Sequence, residues 1–220
     1  MHPIRRILLF ICSLVFLVFA MPVLAIVTPP VVVFDSFGPN NTYLTSVVWG
    51  VNGAATSGGY RGQAEFFTPT ISGYLSSVTL ATYRQSGSGR SDFFIAQDNG
   101  SGPGTILESF LSTANNPNGL LTLNSVGQPL LQAGVTYWLC DEPTDSTTAN
   151  GWFENNQNYT PGFAFERSEW SWSTFGPPAP ASGVFRVLVT PVPEPTSFGF
   201  LVLGGLFAAC RFRSPKNPLS

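Results

Sequence analysis

Few side chains in this chain could do chemistry, and the missing types exclude whole classes of site. The single histidine is His2, and the three cysteines are Cys12, Cys140 and Cys210. Nucleophilic dyads and triads need a histidine to take a proton, and zinc sites need several His or Cys ligands. We therefore expect neither chemistry in the polar middle of the chain. Cys140 is alone there and follows Tyr, Trp and Leu, so we interpret it as a buried apolar residue rather than a nucleophile.

Carboxylates and tryptophans remain as candidates. Two carboxylates about 5–9 Å apart can hydrolyse a glycosidic bond, and an exposed indole ring can stack on a sugar. The candidates are Glu154, Glu166 and Glu169 for a carboxylate pair, and Trp152, Trp170 and Trp172 for carbohydrate stacking. Three interpretations stay open: packing residues, a carbohydrate-binding surface and a glycoside hydrolase. We expect no catalytic residues, and the binding hypothesis requires at least one of these tryptophans to be exposed.

Two short acidic segments could supply oxygen ligands for calcium. Residues 98–102 (Asp-Asn-Gly-Ser-Gly) place Asp and Asn close together but lack the distal glutamate of a calcium loop. A tight hairpin turn explains the same residues. Residues 141–145 (Asp-Glu-Pro-Thr-Asp) are typical of a solvated turn. We therefore predict turns at both places, no metal site and no cofactor.

The charge of the middle segment excludes nucleic-acid binding. Between Ile26 and Pro191 there are five arginines, no lysine and eleven acidic residues, and five minus eleven leaves a net charge of minus six. Proteins that bind nucleic acids need a basic surface to neutralise phosphates. This segment has the opposite sign, so we expect no nucleic-acid partner.

Residues 26–191 have the pattern of an all-β domain. Segments rich in β-branched and aromatic residues alternate with Gly-, Asn-, Ser- and Pro-rich breaks, at 31–37, 43–49, 63–67, 74–83, 92–97, 105–111, 120–123, 134–140, 151–154, 162–166 and 184–190. This spacing predicts a single antiparallel β-sandwich of about ten strands, with a jelly-roll-like topology. A sustained 3.6-residue period is missing, so almost no helix is expected. In residues 74–83, successive side chains should point to opposite faces of the sheet, with one face on the core. Residues 184–189 should be buried more completely, on both faces.

The first 25 residues have the layout of a secretory signal peptide. Arg5 and Arg6 precede a 14-residue apolar run from Ile7 to Ala20, and Val23-Leu24-Ala25 places small residues at a cleavage site. The alternative is a membrane anchor, which needs about 20 apolar residues. The shorter run favours a signal helix that is cut after Ala25 by signal peptidase.

The last 29 residues, 192–220, have the pattern of a second targeting segment. Pro193, Glu194 and Pro195 make an extended spacer, residues 196–210 make an uncharged apolar helix, and Arg211 and Arg213 follow as a cationic stop. Fifteen helical residues span about 22 Å, less than the roughly 30 Å of a hydrocarbon core. The segment is thus a short transmembrane helix or, alternatively, a last strand of the sandwich.

This tail resembles the PEP-CTERM sorting signal of Gram-negative bacteria, with its three parts in the same order. The resemblance implies that Pro193, Glu194 and Pro195 are recognised by exosortase, a membrane transpeptidase-like enzyme, and that the apolar tail is removed. One departure is that the chain continues past the arginines to Ser220. The implied location is the inner membrane transiently, then the cell surface or extracellular matrix, with a link to exopolysaccharide or biofilm.

The middle segment more loosely resembles the choice-of-anchor β domains that accompany such tails. The residues that carry this resemblance are Asp98–Gly104, Ala133–Leu139, Gly151-Trp152 and Phe185–Val187. The family has no assigned activity, so the resemblance supports the fold and leaves the function open. Together the patterns predict an exported, non-enzymatic surface protein, with a carbohydrate-binding module as the alternative.

Overall fold

The protein is described from a computed structural model that covers residues 28–87, 90–111, 116–160, 162–166, 171–175 and 182–192. These residues form an all-β, sandwich-like fold of two antiparallel sheets with thirteen strands. Their only helical element is a single 3₁₀ turn at Pro39–Asn41, which confirms the expectation of almost no helix for this part of the chain. Among the same residues, no helix is long and apolar enough to span a membrane. The predicted signal peptide and the sorting motif lie outside them.

The first sheet has seven strands and the second has six. The first contains β1 (Val31–Asp35), β2 (Leu44–Asn52), β4 (Gly73–Ser86), β7 (Gly119–Asn124), β8 (Leu130–Leu131), β10 (Ala149–Glu154) and β13 (Phe185–Pro191). Its order is β1-β13-β4-β10-β2, and β7 and β8 also pair with the long strand β4. The second contains β3 (Gly62–Phe67), β5 (Ser91–Asp98), β6 (Pro103–Leu111), β9 (Tyr137–Pro143), β11 (Phe163–Glu166) and β12 (Trp172–Phe175), in the order β12-β11-β3-β9-β5-β6.

Strand β4 does not alternate strictly, because a β-bulge interrupts it. Val189 of β13 pairs with Leu75, and the next residue, Leu188, pairs with Ser77, so Ser76 is the extra residue. An extra residue reverses which side chains face the core. Leu75 is therefore buried together with Val78, although a period of two would place them on opposite faces. The expected single alternation through residues 74–83 is wrong at this point.

Strand β13 is half-buried, which also differs from the more complete burial that we expected. Phe185, Val187 and Val189 face the core, whereas Arg186 and Leu188 on the opposite face are partly exposed. This is the pattern of a strand with one face on the core and the other towards solvent.

Large apolar side chains from both sheets fill the space between them. Phe67, Phe93 and Leu139 of the second sheet belong to one buried cluster with Trp152 and Phe185 of the first. Trp152 has no exposed surface, and its indole N–H donates to the Val184 carbonyl over 2.9 Å. Its prediction as a carbohydrate-stacking residue is therefore wrong, because the ring is a central part of the core.

Candidate functional site

A second cluster of apolar side chains lies on the outer face of the second sheet. Along β9, Tyr137 and Leu139 point into the main core, whereas Trp138 and Cys140 belong to a separate cluster on the other side. That cluster includes Ala64, Ala96 and Ala164 from the neighbouring strands β3, β5 and β11. These alanines have no exposed surface, so the cluster is a second small core, and Phe66 and Trp172 pack against it.

A groove of about 300 Å³ lies on this face. Its walls come from β3, the β5–β6 turn, the beginning of β9 and the end of β12, and its lining residues are Phe66, Asp98, Gly100, Ser101, Gly102, Thr136, Trp138, Thr174 and Phe175. The β12 wall touches the turn closely at Gly102, which has φ +147°. A Cβ atom at this position would lie 3.0 Å from Thr174 Cγ2, so only glycine leaves the two walls in this arrangement.

Trp138 is fixed at the base of the groove. Its indole N–H donates to Asp98 Oδ1 over 2.9 Å, and its ring meets Phe66 edge to face with centroids 5.4 Å apart. The polar partner and the aromatic neighbour together determine one ring orientation. Phe175 contributes to the lining, but its ring lies on the opposite face of the sheet, where it stacks on Phe163 and Phe165 with centroids 5.1 Å away in each case. The aromatic residue of β12 on the groove side is the partly exposed Trp172, and the hydroxyl-bearing residues Ser101 and Thr136 complete the lining.

Residues 98–102 form the hairpin turn that the sequence predicted. Asn99 N–H donates to the Gly102 carbonyl over 3.1 Å, Ser101 N–H donates to Asn99 Oδ1 over 2.8 Å, and Gly100 has φ +84°. The Asp98 and Asn99 oxygens are thus used by Trp138 and by the turn itself. The segment serves as one wall of the groove.

Among the described residues, the other candidate tryptophan and acids of the sequence prediction lie in different elements. Trp172 is partly exposed and packs on the cluster beside the groove, so it stays a candidate for stacking. Trp170 and Glu169 lie outside the described residues. Glu154 belongs to β10 of the first sheet and Glu166 to β11 of the second.

Glu142 and Glu166 instead form a carboxyl pair that the sequence analysis missed. They flank Gly62 in the strand order β9-β3-β11, and a Cβ atom on Gly62 would lie 3.2 Å from Glu142 Cγ and 3.3 Å from Glu166 Oε2. Burial raises the pKa of Glu142 to about 8, and the adjacent Glu166 carboxyl acts in the same direction by its charge and by a hydrogen bond. Two carboxyls in such contact share a proton.

This pair gives no support to the hydrolase hypothesis. Glu166 is fully buried, and its oxygens accept hydrogen bonds from the Tyr60 hydroxyl over 3.3 Å and from Ser171 N–H over 2.9 Å. A glycosidase instead needs two accessible carboxyls separated by at least about 5 Å. The pair is therefore best explained as a structural connection between strands.

The predicted solvated turn at residues 141–145 is wrong for its first half. Asp141 and Glu142 are part of strand β9, and Asp141 is fully buried. Asp145 does form a turn, since its Oδ1 accepts from the backbone N–H groups of Thr147 and Thr148 over 2.8 Å each. Sequence neighbours of the same charge thus have opposite environments, because strand β9 continues to Pro143, three residues further than the predicted segment 134–140.

Cys140 is buried, as expected, and is a free thiol. Burial raises the pKa of Cys140 well above its usual value, and the charges of Glu142, Glu166 and Asp141 add to the increase. A thiol with a raised pKa is a poor nucleophile. The interpretation of Cys140 as a packing residue is confirmed.

A second depression of about 390 Å³ involves Glu108, Phe110, Leu123 and Val126. The Glu108 carboxylate there already accepts from the backbone N–H groups of Val126 and Gly127 over 2.6 and 2.9 Å. It holds the turn after β7, so the groove at Trp138 is the better candidate for a ligand. No protein-family model matches the chain, and a search of curated proteins finds no match.

Proposed function

We propose that the protein is an exported, non-enzymatic surface protein of a Gram-negative bacterium whose β domain binds a saccharide of the extracellular matrix. The observation that carries the saccharide part is the groove, in which Asp98 holds Trp138 against Phe66, with the partly exposed Trp172 next to Gly102 at the rim. Sugars present apolar C–H faces together with rings of hydroxyls. An aromatic floor with hydroxyl groups on the walls complements both features.

The size and charge of the groove favour a neutral saccharide segment. A volume of about 300 Å³ is at the lower end of small-molecule sites, which suits one or two sugar rings of a longer chain. Among the described residues that line the groove, Asp98 is the one with a charged side chain, and it already accepts from Trp138. An acidic domain of this kind repels anionic ligands, so we propose a neutral stretch of exopolysaccharide as the ligand.

Replacing Trp172 by alanine should weaken saccharide binding about tenfold, which corresponds to roughly 1.4 kcal/mol of lost aromatic contact. The measurement is the retardation of the protein in native gels that contain exopolysaccharide extracted from the host. Tyr74→Ala is the control, because Tyr74 is an exposed aromatic residue that lies on β4 of the first sheet. If the wild-type protein is not retarded, or if both variants bind equally weakly, the groove is not a saccharide site.

The export and sorting of the protein are proposed from the residues at its two ends. We propose that signal peptidase cuts after Ala25 and that exosortase recognises Pro193, Glu194 and Pro195, with Arg211 and Arg213 as the membrane stop. A signal helix, a short transmembrane helix and a jelly-roll-like strand topology belong to the same proposal. The topology is supported by the chain passing repeatedly between the two sheets, as at β2–β3, β3–β4 and β4–β5.

Exchanging Glu194 for alanine should abolish removal of the tail. In the native host, the wild-type protein should begin at Ile26 and lack the residues after the Pro-Glu-Pro motif, whereas the variant should begin at Ile26 and retain residues up to Ser220. Mass spectrometry of the intact mature proteins measures both ends at once. A wild-type protein that retains Ser220 would mean that the tail is a permanent anchor or a strand, and the sorting proposal would be lost.

A further inference from the structure

The sequence contains four asparagines that are directly followed by glycine, and the two residues of such a pair can react with each other. The pairs are Asn52-Gly53, Asn99-Gly100, Asn118-Gly119 and Asn150-Gly151. In this reaction the backbone nitrogen of the glycine attacks the side-chain amide carbon of the asparagine, which no glycine side chain hinders. The reaction needs an accessible asparagine, a glycine N–H without a hydrogen-bond partner and a backbone that can turn. The structure distinguishes the four pairs by these requirements.

Three of the pairs are held by their surroundings. Asn150 is 3 % exposed and lies in strand β10. Gly53 is buried, and its N–H donates to the Thr148 carbonyl over 2.8 Å. Asn118 is exposed, but its Oδ1 accepts from the Arg84 N–H over 2.7 Å, and the glycine that follows it begins strand β7. In each of these pairs the reaction has to break a hydrogen bond or open a strand first.

Asn99-Gly100 is the pair that meets the requirements. Both residues are exposed, in the turn between β5 and β6. Among the described residues, none accepts a hydrogen bond from the Gly100 N–H, and nothing lies within 4 Å of the place that a Cβ atom of Gly100 would take. Gly100 has φ +84°, a region of backbone conformation that glycine enters and leaves at little cost. Its nitrogen can therefore approach the Asn99 side chain without displacing a neighbour.

Ser101 prepares the Asn99 amide for this attack. Asn99 Oδ1 accepts two hydrogen bonds, one from the Ser101 N–H and one from the Ser101 hydroxyl, over 2.8 Å each. When a nucleophile attacks an amide, negative charge develops on the amide oxygen, and two donors at this distance stabilise that charge as an oxyanion hole does. The Asn99 Nδ2, which has to leave, is held more weakly, by a hydrogen bond of 3.4 Å to the Pro103 carbonyl.

We propose that Asn99 is a site of spontaneous deamidation, preferred over the other three Asn-Gly pairs. Hydroxide takes the proton of the Gly100 N–H, and a bond forms between the Gly100 nitrogen and Asn99 Cγ. The bond from Cγ to Nδ2 then breaks, and ammonia leaves with a proton from water, which restores the hydroxide. Water opens the resulting succinimide ring at one of its two carbonyls. The products are aspartate and isoaspartate, whose main chain is one carbon longer.

The modification changes the wall of the groove. Both products add a negative charge beside Asp98, whose carboxylate orients the Trp138 ring. The longer main chain of isoaspartate also disturbs the hydrogen bond from the Asn99 N–H to the Gly102 carbonyl and the close approach of Gly102 to Thr174. Deamidated protein should therefore be retarded less by the exopolysaccharide in native gels. This consequence rests on the saccharide function proposed above, whereas the deamidation itself does not.

The test is incubation of the full chain at mildly alkaline pH, in the native state and in urea, followed by peptide mass spectrometry at intervals. In the native protein, deamidation of Asn99 should be at least about tenfold faster than at each of the other pairs, because those pairs must first open locally. In urea the four rates should become similar, since the preference comes from the folded structure. The same native samples are run on exopolysaccharide gels. Fresh protein that is not retarded would contradict the saccharide function, while the mass spectra would still decide whether Asn99 is the preferred site.

Ser101→Ala tests the role of the hydroxyl donor. This variant keeps the backbone donor to Asn99 Oδ1 and should deamidate at Asn99 about fivefold more slowly, the effect of one lost hydrogen bond. Thr105→Ala is the control, because it removes an exposed hydroxyl from the neighbouring strand β6 and should leave the rate unchanged. Three results would overturn the proposal: equal rates at the four pairs in the native protein, a preference for Asn99 that persists in urea, or a Ser101→Ala rate equal to that of the wild type.

Discussion

Replacing Trp152 by alanine is expected to lower the free energy of unfolding by about 3–5 kcal/mol. The indole has no exposed surface, it packs edge to face against Phe185 at an interplanar angle of 63° with ring centroids 5.6 Å apart, and its N–H donates to the Val184 carbonyl. Truncation would leave a large cavity and a buried carbonyl that loses its donor. Because whole domains are stable by only about 5–15 kcal/mol, the loss should be evident as a much lower urea midpoint at constant pH.

Two further variants separate the causes of this loss. Trp152→Phe retains most of the packing but removes the donor to Val184, so its cost should be about half that of alanine. Trp172→Ala changes the partly exposed tryptophan of β12 and should cost about 1 kcal/mol or less. If Trp152→Ala costs no more than Trp172→Ala, the placement of Trp152 in the centre of the core is incorrect.

Most strands could be predicted because their signals are local. All eleven predicted segments overlap with observed strands, since β-branched and aromatic runs between Gly- and Asn-rich turns carry their own information. The strands β8 and β12 were missed. Strand β8 is only Leu130–Leu131, and it is defined by its pairing with Gly73 and Tyr74 rather than by its composition. The bulge at Ser76 likewise depends on the register with β13, which a single segment does not encode.

The candidate site was predicted less well, because the pairing of strands that are far apart in sequence brings its residues together. Glu142, Gly62 and Glu166 are far apart in sequence and become neighbours only through the order β9-β3-β11. The choice of tryptophan failed for a related reason: Trp152 and Trp138 have similar sequence surroundings, yet one faces the core and the other the groove. The alternation of β9 was the available signal, because it places Trp138, Cys140 and Glu142 on the side opposite to Tyr137 and Leu139.

Exchanging Glu65 for glutamine is expected to remove part of the pH dependence of stability and to stabilise the protein at pH 7–8. Glu65 is buried between the sheets, where its Oε1 accepts from Gly183 N–H over 2.8 Å and its Oε2 has no partner among the described residues. Burial raises the pKa of Glu65 well above its usual value of about 4.5, which the hydrogen bonds from Gly183 and Ser182 only partly oppose. The nearby charge of Glu154 raises it further, and Tyr159 also faces the group.

The sign of this pH dependence follows from whether the folded or the unfolded protein holds the proton on Glu65. Between the unfolded pKa of about 4.5 and the higher folded pKa, the folded protein keeps a proton that the unfolded chain has released. Stability is therefore fully present below about pH 4.5 and decreases as the pH rises towards the folded pKa, by at most about 1.4 kcal/mol per pH unit from this group. Asp141 and Glu142, whose pKa values burial raises to about 8, contribute slopes of the same sign. The difference in the free energy of unfolding between wild type and Glu65→Gln is therefore the quantity to measure, because the contributions of Asp141 and Glu142 are common to both proteins.

Urea unfolding of wild type and Glu65→Gln at several pH values between 4 and 8 measures that difference. Glutamine can still accept the Gly183 hydrogen bond through its amide oxygen, and it is neutral like the protonated acid, so the two proteins should be nearly equally stable at pH 4. The advantage of the variant should then grow with pH and level off above the folded pKa, because both wild-type states are ionised there. Parallel stability profiles would show that Glu65 is ionised in the folded protein. In that case the interior supplies Glu65 with a donor or a cation beyond the Gly183 and Ser182 contacts.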